Sequence, residues 1–271
     1  MTTDGSTWRS AACGTVALVV LGMAGVVSLA RYSVPALRAI PELAILSYPT
    51  LVVLAAANST VLLVVFAVLG SATAPRTGLH SHVFAWASGG TPGWRAFRRS
   101  LPLAVAIGAG LFVLVTVLDV AFAPFTVLTS GEAVTDAAAL EDLLASVPMR
   151  FLYGGVTEEL LLRWGVMAPI AFVLWWGRNT VGEETETPSA TAMWIAIVAS
   201  AVAFGVGHLP ALASTIGLTP ALVVRTVLLN AIVGVALGWL FWRRSLEAAM
   251  VAHTTFHVVL VVVSVAGVLL G

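Results

Sequence analysis

Seven long apolar stretches, separated by more polar segments, make up most of the chain. They cover residues 11–31, 46–72, 101–124, 149–176, 190–209, 219–242 and 246–270. A stretch of about 20 apolar residues can cross the roughly 30 Å hydrocarbon core of a bilayer as a helix. Because a helix satisfies its own backbone hydrogen bonds, the pattern predicts an all-α, polytopic bundle of seven transmembrane helices.

The polar segments add detail to this prediction. Residues 74–100 form a basic interfacial segment, residues 177–189 an acidic loop, and residues 136–147 a short amphipathic helix at the membrane surface. The first stretch is longer than the apolar part of a signal peptide, so we expect a retained first helix. Eight arginines fall in the segments on one side and four on the other, which favours an inside N-terminus.

Composition supports a multi-pass protein of the cell membrane that contacts the lipid bilayer. Hydrophobic residues make up 59% of the 271 residues and charged residues 10%, against roughly 25% charged in soluble domains. The net charge is zero, so no basic surface indicates nucleic acid as a partner. With a single cysteine, Cys13, an internal disulfide is impossible. We treat 1–271 as one integral membrane domain without internal repeats.

The fourth stretch carries charges where a membrane span should have none. Glu158, Glu159 and Arg163 lie within it, and a charge at mid-bilayer costs at least about 2.5–3.5 kcal/mol. Glu159 and Arg163 are four residues apart, so they are expected to pair on one helix face and support the site. Glu158 points about 100° away on an α-helix and lacks that partner, which makes it a candidate general base.

Three histidines follow on later stretches. His208 ends the fifth stretch, two residues before Pro210, and His253 and His257 lie four apart on the seventh. The last two rings therefore project from one helix face. The zinc-protease pattern H-E-x-x-H is absent, because Thr254 stands where that pattern has glutamate.

Two chemistries fit these residues equally well. In one, Glu158 and His208 activate a water molecule, and His253 with His257 stabilises an oxyanion without any cofactor. In the other, Glu158 and the three histidines bind Zn²⁺, which lowers the pKa of its bound water to about 7. A third interpretation is a transporter or scaffold that uses the polar residues as an intramembrane relay.

The motifs resemble those of a known protease family. Glu158-Glu159-x-x-x-Arg163, Phe204-x-x-x-His208 and His253-x-x-x-His257 occur in this order on successive late stretches. They resemble the CPBP family of CAAX-protease and bacteriocin-processing intramembrane endopeptidases. The resemblance covers about 150–260, so we define 149–260 as the motif-bearing catalytic core.

The resemblance implies a role for each residue. Glu158 would be the catalytic glutamate and His208 its partner in activating water, with Glu159 and Arg163 in support. His253 would contribute to an oxyanion hole. The substrate would be a membrane-anchored or lipidated peptide or protein.

One position departs from the family pattern. His257 stands where the family has Asn, and its ring N–H can replace an amide donor but also adds a possible metal ligand. Asn230, on the sixth stretch, is a candidate substitute donor or an interhelical hydrogen-bonding residue. Asp119, on the third, is interpreted as a capping or interfacial residue.

Overall fold

All regular structure in the described residues is helical. The computed structural model describes residues 4–125, 136–182, 185–213 and 217–270. The helices are α1 Asp4–Arg38, α2 Pro41–Ala44, α3 Tyr48–Thr73, α4 His82–Ala87, α5 Trp94–Phe122, α6 Asp136–Pro148, α7 Ala168–Thr180, α8 Ala190–Gly207, α9 Leu209–Ala213, α10 Pro220–Arg243 and α11 Leu246–Leu270. Short 3₁₀ turns follow α3 and α5, at Ala74–Thr77 and Ala123–Phe125.

The predicted all-α bundle is confirmed. Seven helical segments in the described part of the chain are long and apolar enough to cross a membrane. Each of them overlaps one predicted stretch, and the first and third segments, Trp8–Arg38 and Trp94–Phe125, extend several residues beyond the predicted limits. Arginines near these ends lower the local hydropathy, but their long apolar stems let a spanning helix carry them to the interface.

The fourth span, Ala139–Thr180, differs most from its prediction. The predicted surface helix corresponds to α6, which continues without a break into the span. Beyond Pro148 the helix widens into two π-helical stretches, Met149–Thr157 and Leu160–Met167, before α7 begins. Proline lacks the N–H that an i→i−4 bond needs, and π-helical turns occur frequently at functional sites.

The fourth span lies at the centre of the bundle. Its first π-helical stretch packs against α1 and α11, and its second packs against α3 and α8. Thr157 anchors the contact with α1, because its hydroxyl donates to the carbonyl of Gly22 over 2.8 Å. The remaining close helix pairs are α1 with α3, α5 with α11, and α8 with α10. Residues of the fourth span therefore face neighbours on several sides.

The outer faces of the helices are apolar. Exposed side chains on these faces include Val53 on α3, Val117 on α5 and Val262 on α11. Apolar side chains that face outward along a helix long enough to span a bilayer indicate contact with lipid rather than water. The seven apolar helices and their lipid-type surfaces describe a multi-pass integral membrane protein.

A buried carboxylate joins the start of α11 to the start of α4. Glu247 is buried, and its Oε1 accepts hydrogen bonds from the Ser81 hydroxyl (2.5 Å) and the Val83 backbone N–H (3.0 Å). The backbone N–H of Leu246 donates to the carbonyl of His80 over 3.1 Å. These bonds hold the start of α11, and hence the helix that carries His253, in a fixed position.

Replacing Glu247 with alanine should destabilise the bundle. The change leaves the Ser81 hydroxyl and the Val83 N–H buried without their acceptor, at a cost of about 1.5–3 kcal/mol. The free energy of unfolding of purified protein in detergent micelles, measured by denaturant titration, should fall by that amount. Glu42→Ala, at an exposed glutamate, is the matched control. Equal stability of the two variants would contradict the proposed role of Glu247.

Candidate functional site

The structure brings the six sequence-predicted site residues together. Four of them, Glu158, His208, His253 and His257, line one cavity of about 1790 Å³ between the helices. The other two, Glu159 and Arg163, are fully buried behind it. Three spans contribute, as the motif order predicted: the fourth carries the acidic residues, the fifth ends at His208, and the seventh carries His253 and His257.

Glu159 is the centre of a buried ionic network. Its Oε2 lies 3.2 Å from Nε of Arg163, and both side chains have no exposed surface. Its Oε1 lies 2.9 Å from Nδ1 of His253. The Glu159–Arg163 pair expected from the sequence is therefore present, and it extends to a histidine on another helix. A carboxylate that already faces an arginine has no proton to give, so Nδ1 of His253 is the donor.

Arg163 has two further neighbours that offset the free-energy cost of burying its charge. Its guanidinium donates to the backbone carbonyl of Gly234 on α10 over 3.3 Å, and it lies 4.8 Å from the ring centroid of Phe204. A buried cation needs such partners, because its desolvation penalty amounts to several kcal/mol. Arg163 thus ties the fourth span to α8 and α10. Phe204, the first residue of the F-x-x-x-H motif, has a role of its own as a cation–π partner.

Glu158 differs from its neighbour in reaching the cavity. Its side chain is 18% exposed, and its Oε2 lies 3.9 Å from Nε2 of His253. This separation is too long for a direct hydrogen bond, but a water molecule can lie about 2.8 Å from both atoms. The helical turn places the two adjacent glutamates in different surroundings, one within the ionic network and one at the cavity wall.

His208 presents one ring nitrogen to the cavity in a defined state. Its Nδ1 lies 2.8 Å from the backbone carbonyl oxygen of Phe204. A carbonyl oxygen only accepts, so Nδ1 carries the proton and Nε2 of the neutral ring carries a lone pair. The ring also packs edge-on against Phe204 with centroids 4.7 Å apart. The backbone of its own helix therefore orients His208 as a hydrogen-bond acceptor.

His257 packs against a glycine pair on the fourth span. A Cβ at Gly154 would lie only 2.7 Å from its Nε2, and a side chain at Gly155 would collide with Thr254. The two glycines thus allow α11 to approach the fourth span closely. The His253 and His257 rings stack with centroids 5.0 Å apart. Nδ1 of His257 is buried without a hydrogen-bond partner among the described residues.

Two other polar residues form contacts that differ from the expectations. Asn230 donates its amide N–H to the carbonyl of Thr226 over 2.8 Å, a bond within its own helix rather than between helices. Asp119, which was interpreted as a capping or interfacial residue, forms an ion pair with Arg225 of α10. Sequence spacing missed this pair, because 106 residues separate its members and only the packing of α5 near α10 joins them.

The donor groups are not arranged as a metal site. In the part of the chain that the structure describes, no three His, Cys, Asp or Glu side chains are grouped to hold one ion. Nδ1 of His208 and of His253 bond to a carbonyl and a carboxylate, which leaves Nε2 as the available nitrogen of each ring. The stacked rings of His253 and His257 also lie nearly parallel rather than directing nitrogens to one point.

Comparison with known proteins places the site within a matched segment. Residues 140–259 match a family whose description reads Type II CAAX prenyl endopeptidase Rce1-like. No curated protein and no solved structure matches the chain. The matched segment contains the fourth, fifth and sixth spans nearly whole and the first half of the seventh, and hence all six site residues. The segment 140–259 is thus Rce1-like, and the match confirms the resemblance to the CAAX-protease (CPBP) family.

Proposed function

We propose that this protein is an intramembrane endopeptidase of the cell membrane. It hydrolyses a peptide bond in a membrane-anchored or lipidated substrate with a water activated by Glu158 and His208. The observation that carries the proposal is that two adjacent glutamates have different surroundings. Glu159 is held by Arg163 and His253, whereas Glu158 reaches the cavity. The family match to prenyl endopeptidases supports the reaction class.

Two hydrogen-bond acceptors prepare the water for attack. The side chains of Glu158 and His208 both line the cavity, and we infer that one water molecule donates a proton to the Glu158 carboxylate and to Nε2 of His208. Its oxygen lone pair is then free to attack the carbonyl carbon of the scissile bond. As the C–O bond forms, Glu158 accepts one water proton, which it later gives to the leaving amine as the C–N bond breaks.

Two histidines stabilise the negative charge that develops on the carbonyl oxygen. Nδ1–H of His253 is held by Glu159, so its Nε2 becomes a donor when the ring is an imidazolium, whose charge Glu159 offsets. His257 donates from Nε2, because the tautomer with its proton on Nδ1 would bury an unpaired N–H. No step requires a metal ion, and enclosure among helices strengthens both donors.

The position of the cavity supports a membrane-anchored substrate. It is lined by spanning helices, so a peptide anchored in the same bilayer reaches it without leaving the membrane. Apolar residues such as Leu62, Phe66 and Val166 line part of its wall. A lipid chain attached to the peptide can bury apolar surface there at roughly 25 cal/mol per Å². We therefore expect lipidated peptides to be preferred over unmodified ones.

Replacing each glutamate with glutamine should show that Glu158 is needed for catalysis and Glu159 for stability. Glu158→Gln removes the base and should lower kcat on a farnesylated CAAX-type peptide about 10²- to 10⁴-fold, with little change in thermal stability. Glu159→Gln leaves Arg163 buried without its counter-charge and should lower the free energy of unfolding by about 3–5 kcal/mol. Glu186→Gln, at an exposed loop residue, is the control for both measurements.

Two outcomes would contradict the separate roles of Glu158 and Glu159. Full activity of Glu158→Gln would remove Glu158 from the reaction. A Glu159→Gln protein as stable as wild type would show that the buried network does not support the fold. Both variants are first tested for insertion and for monodisperse purification, so that loss of protein is not counted as loss of activity.

His208→Ala should also reduce cleavage. The variant loses the second acceptor for water, and we expect kcat to fall about 10²- to 10⁴-fold. His80→Ala, at an exposed histidine outside the cavity, should retain wild-type kcat on the same peptide. Equal rates for the two alanine variants would exclude His208 from the mechanism.

Removal of divalent metal should leave the activity unchanged. Because no three donors in the described residues are grouped to hold an ion, cleavage should persist after dialysis against a strong chelator. Metal content is measured on the same sample by mass spectrometry. Loss of cleavage with chelator, and its recovery on adding Zn²⁺, would favour the zinc-protease alternative.

A further inference from the structure

The cavity wall changes from polar to apolar along the fourth span. Arg150, Glu158 and Val166 all line the cavity, and each is eight residues from the next. Glu158 therefore lies between an arginine at one end and an aliphatic side chain at the other. Residues of α1 and α3 that lie beside the fourth span show the same change from polar to apolar side chains.

Contacts of the fourth span with α1 and α3 show which residues of these helices lie beside the polar end of the cavity and which lie beside its apolar end. At the polar end, the Tyr32 hydroxyl donates to Asp142 over 3.1 Å. At the other end, a Cβ at Gly165 would meet the Phe66 ring 2.8 Å away, so Phe66 packs at that level. The cavity thus has a charged end near Arg150 and an apolar end near Phe66, with the proposed catalytic residues between them.

Arg150 is held in place but lacks an anionic partner in the described structure. Its Nε donates to the hydroxyl of Ser146 over 2.8 Å, and Ser146 is fully buried. No carboxylate among the described residues lies within ion-pair distance of Arg150, whereas Arg225 at the same cavity already pairs with Asp119. The terminal guanidinium nitrogens of Arg150 are therefore oriented and available for an anion.

We propose that Arg150 binds the free C-terminal carboxylate of the substrate. The inference rests on the proposed endopeptidase function and adds the residue that recognises the end of the substrate. A C-a-a-X tail carries its lipid on the cysteine and ends three residues later in a carboxylate. Such a tail matches the cavity, with lipid at the apolar end, the scissile bond at Glu158 and the carboxylate at Arg150.

The spacing along the fourth span agrees with a tail of three residues. Eight residues from Arg150 to Glu158 correspond to about 12 Å at the rise of an α-helix, and to less in the wider π-helical stretch. Three extended residues span at most about 10–11 Å. The two lengths agree to within about 2 Å, so we expect Arg150 also to set how many residues follow the cleaved bond.

Arg31 is the competing candidate. It also lines the cavity, but it is exposed and adjoins Tyr32, which contacts Asp142. Arg150, in contrast, is half-buried, and its Nε is held by the hydroxyl of Ser146. Because an arginine that is already oriented loses less side-chain entropy on binding an anion, the structure favours Arg150 over Arg31.

The test compares a carboxylate and an amide on the same peptide. Purified full-length protein is assayed with a fluorescent peptide carrying farnesyl-cysteine and three further residues, ending either in a free carboxylate or in an amide. Wild type should prefer the carboxylate in kcat/KM by about ten- to a hundredfold, the range for a hydrogen bond to a charged group. Arg150→Gln should reduce this preference to about one by slowing only the carboxylate peptide.

Matched variants and substrates sharpen the test. Arg150→Lys keeps the charge but not the paired donors, so it should retain part of the preference. Arg31→Gln and Arg95→Gln, the latter at an exposed residue outside the cavity, should keep all of it. A peptide one residue longer should be cleaved more slowly by wild type, whereas Arg150→Gln should cleave both lengths equally.

The outcomes separate this proposal from the proposed function. Arg150→Gln slowing both peptides equally, or Arg31→Gln alone removing the preference, would overturn the role of Arg150. Peptide binding is also measured by fluorescence anisotropy in the Glu158→Gln background, where the ratio of carboxylate to amide affinities tests Arg150 without cleavage. If wild type cleaves neither peptide while this ratio still depends on Arg150, the endopeptidase function fails and the carboxylate site stands.

Discussion

The cost of burying charge in the middle of the bundle is the constraint on which the site depends. Glu159 and Arg163 have no exposed surface, and each would be very unfavourable there alone. Their partners come from three other helices: His253 on α11, Phe204 on α8 and the Gly234 carbonyl on α10. Because these buried charges need partners from other helices, the helices that carry the histidines must pack close to the fourth span.

This network also prepares the reactive groups. By holding Nδ1 of His253, Glu159 directs Nε2 of the same ring towards Glu158, 3.9 Å away. The Phe204 backbone sets the protonation of His208 in the same way, and the Phe204 ring contacts Arg163. The same residues thus support the fold and orient the side chains that are proposed to react.

The proposed orientation of the substrate rests on a second property, the change in polarity along the cavity. The fourth span presents Arg150, Glu158 and Val166 at regular intervals, and α1 and α3 add Tyr32 and Phe66 at matching levels. A lipidated peptide with a charged terminus has the same order of apolar and polar ends. One helix therefore supplies both the proposed base and the means of placing a bond beside it.

The sequence by itself determined the all-α class, the number of spans and the Glu159–Arg163 pair, because hydropathy and helical spacing are local properties. It also supplied the family resemblance of 149–260. Only the tertiary structure decided that Glu159 binds His253, that Asp119 pairs with Arg225 and that Asn230 bonds within its own helix. Local spacing does not encode which helices pack together, nor the π-helical turns that change which way side chains point.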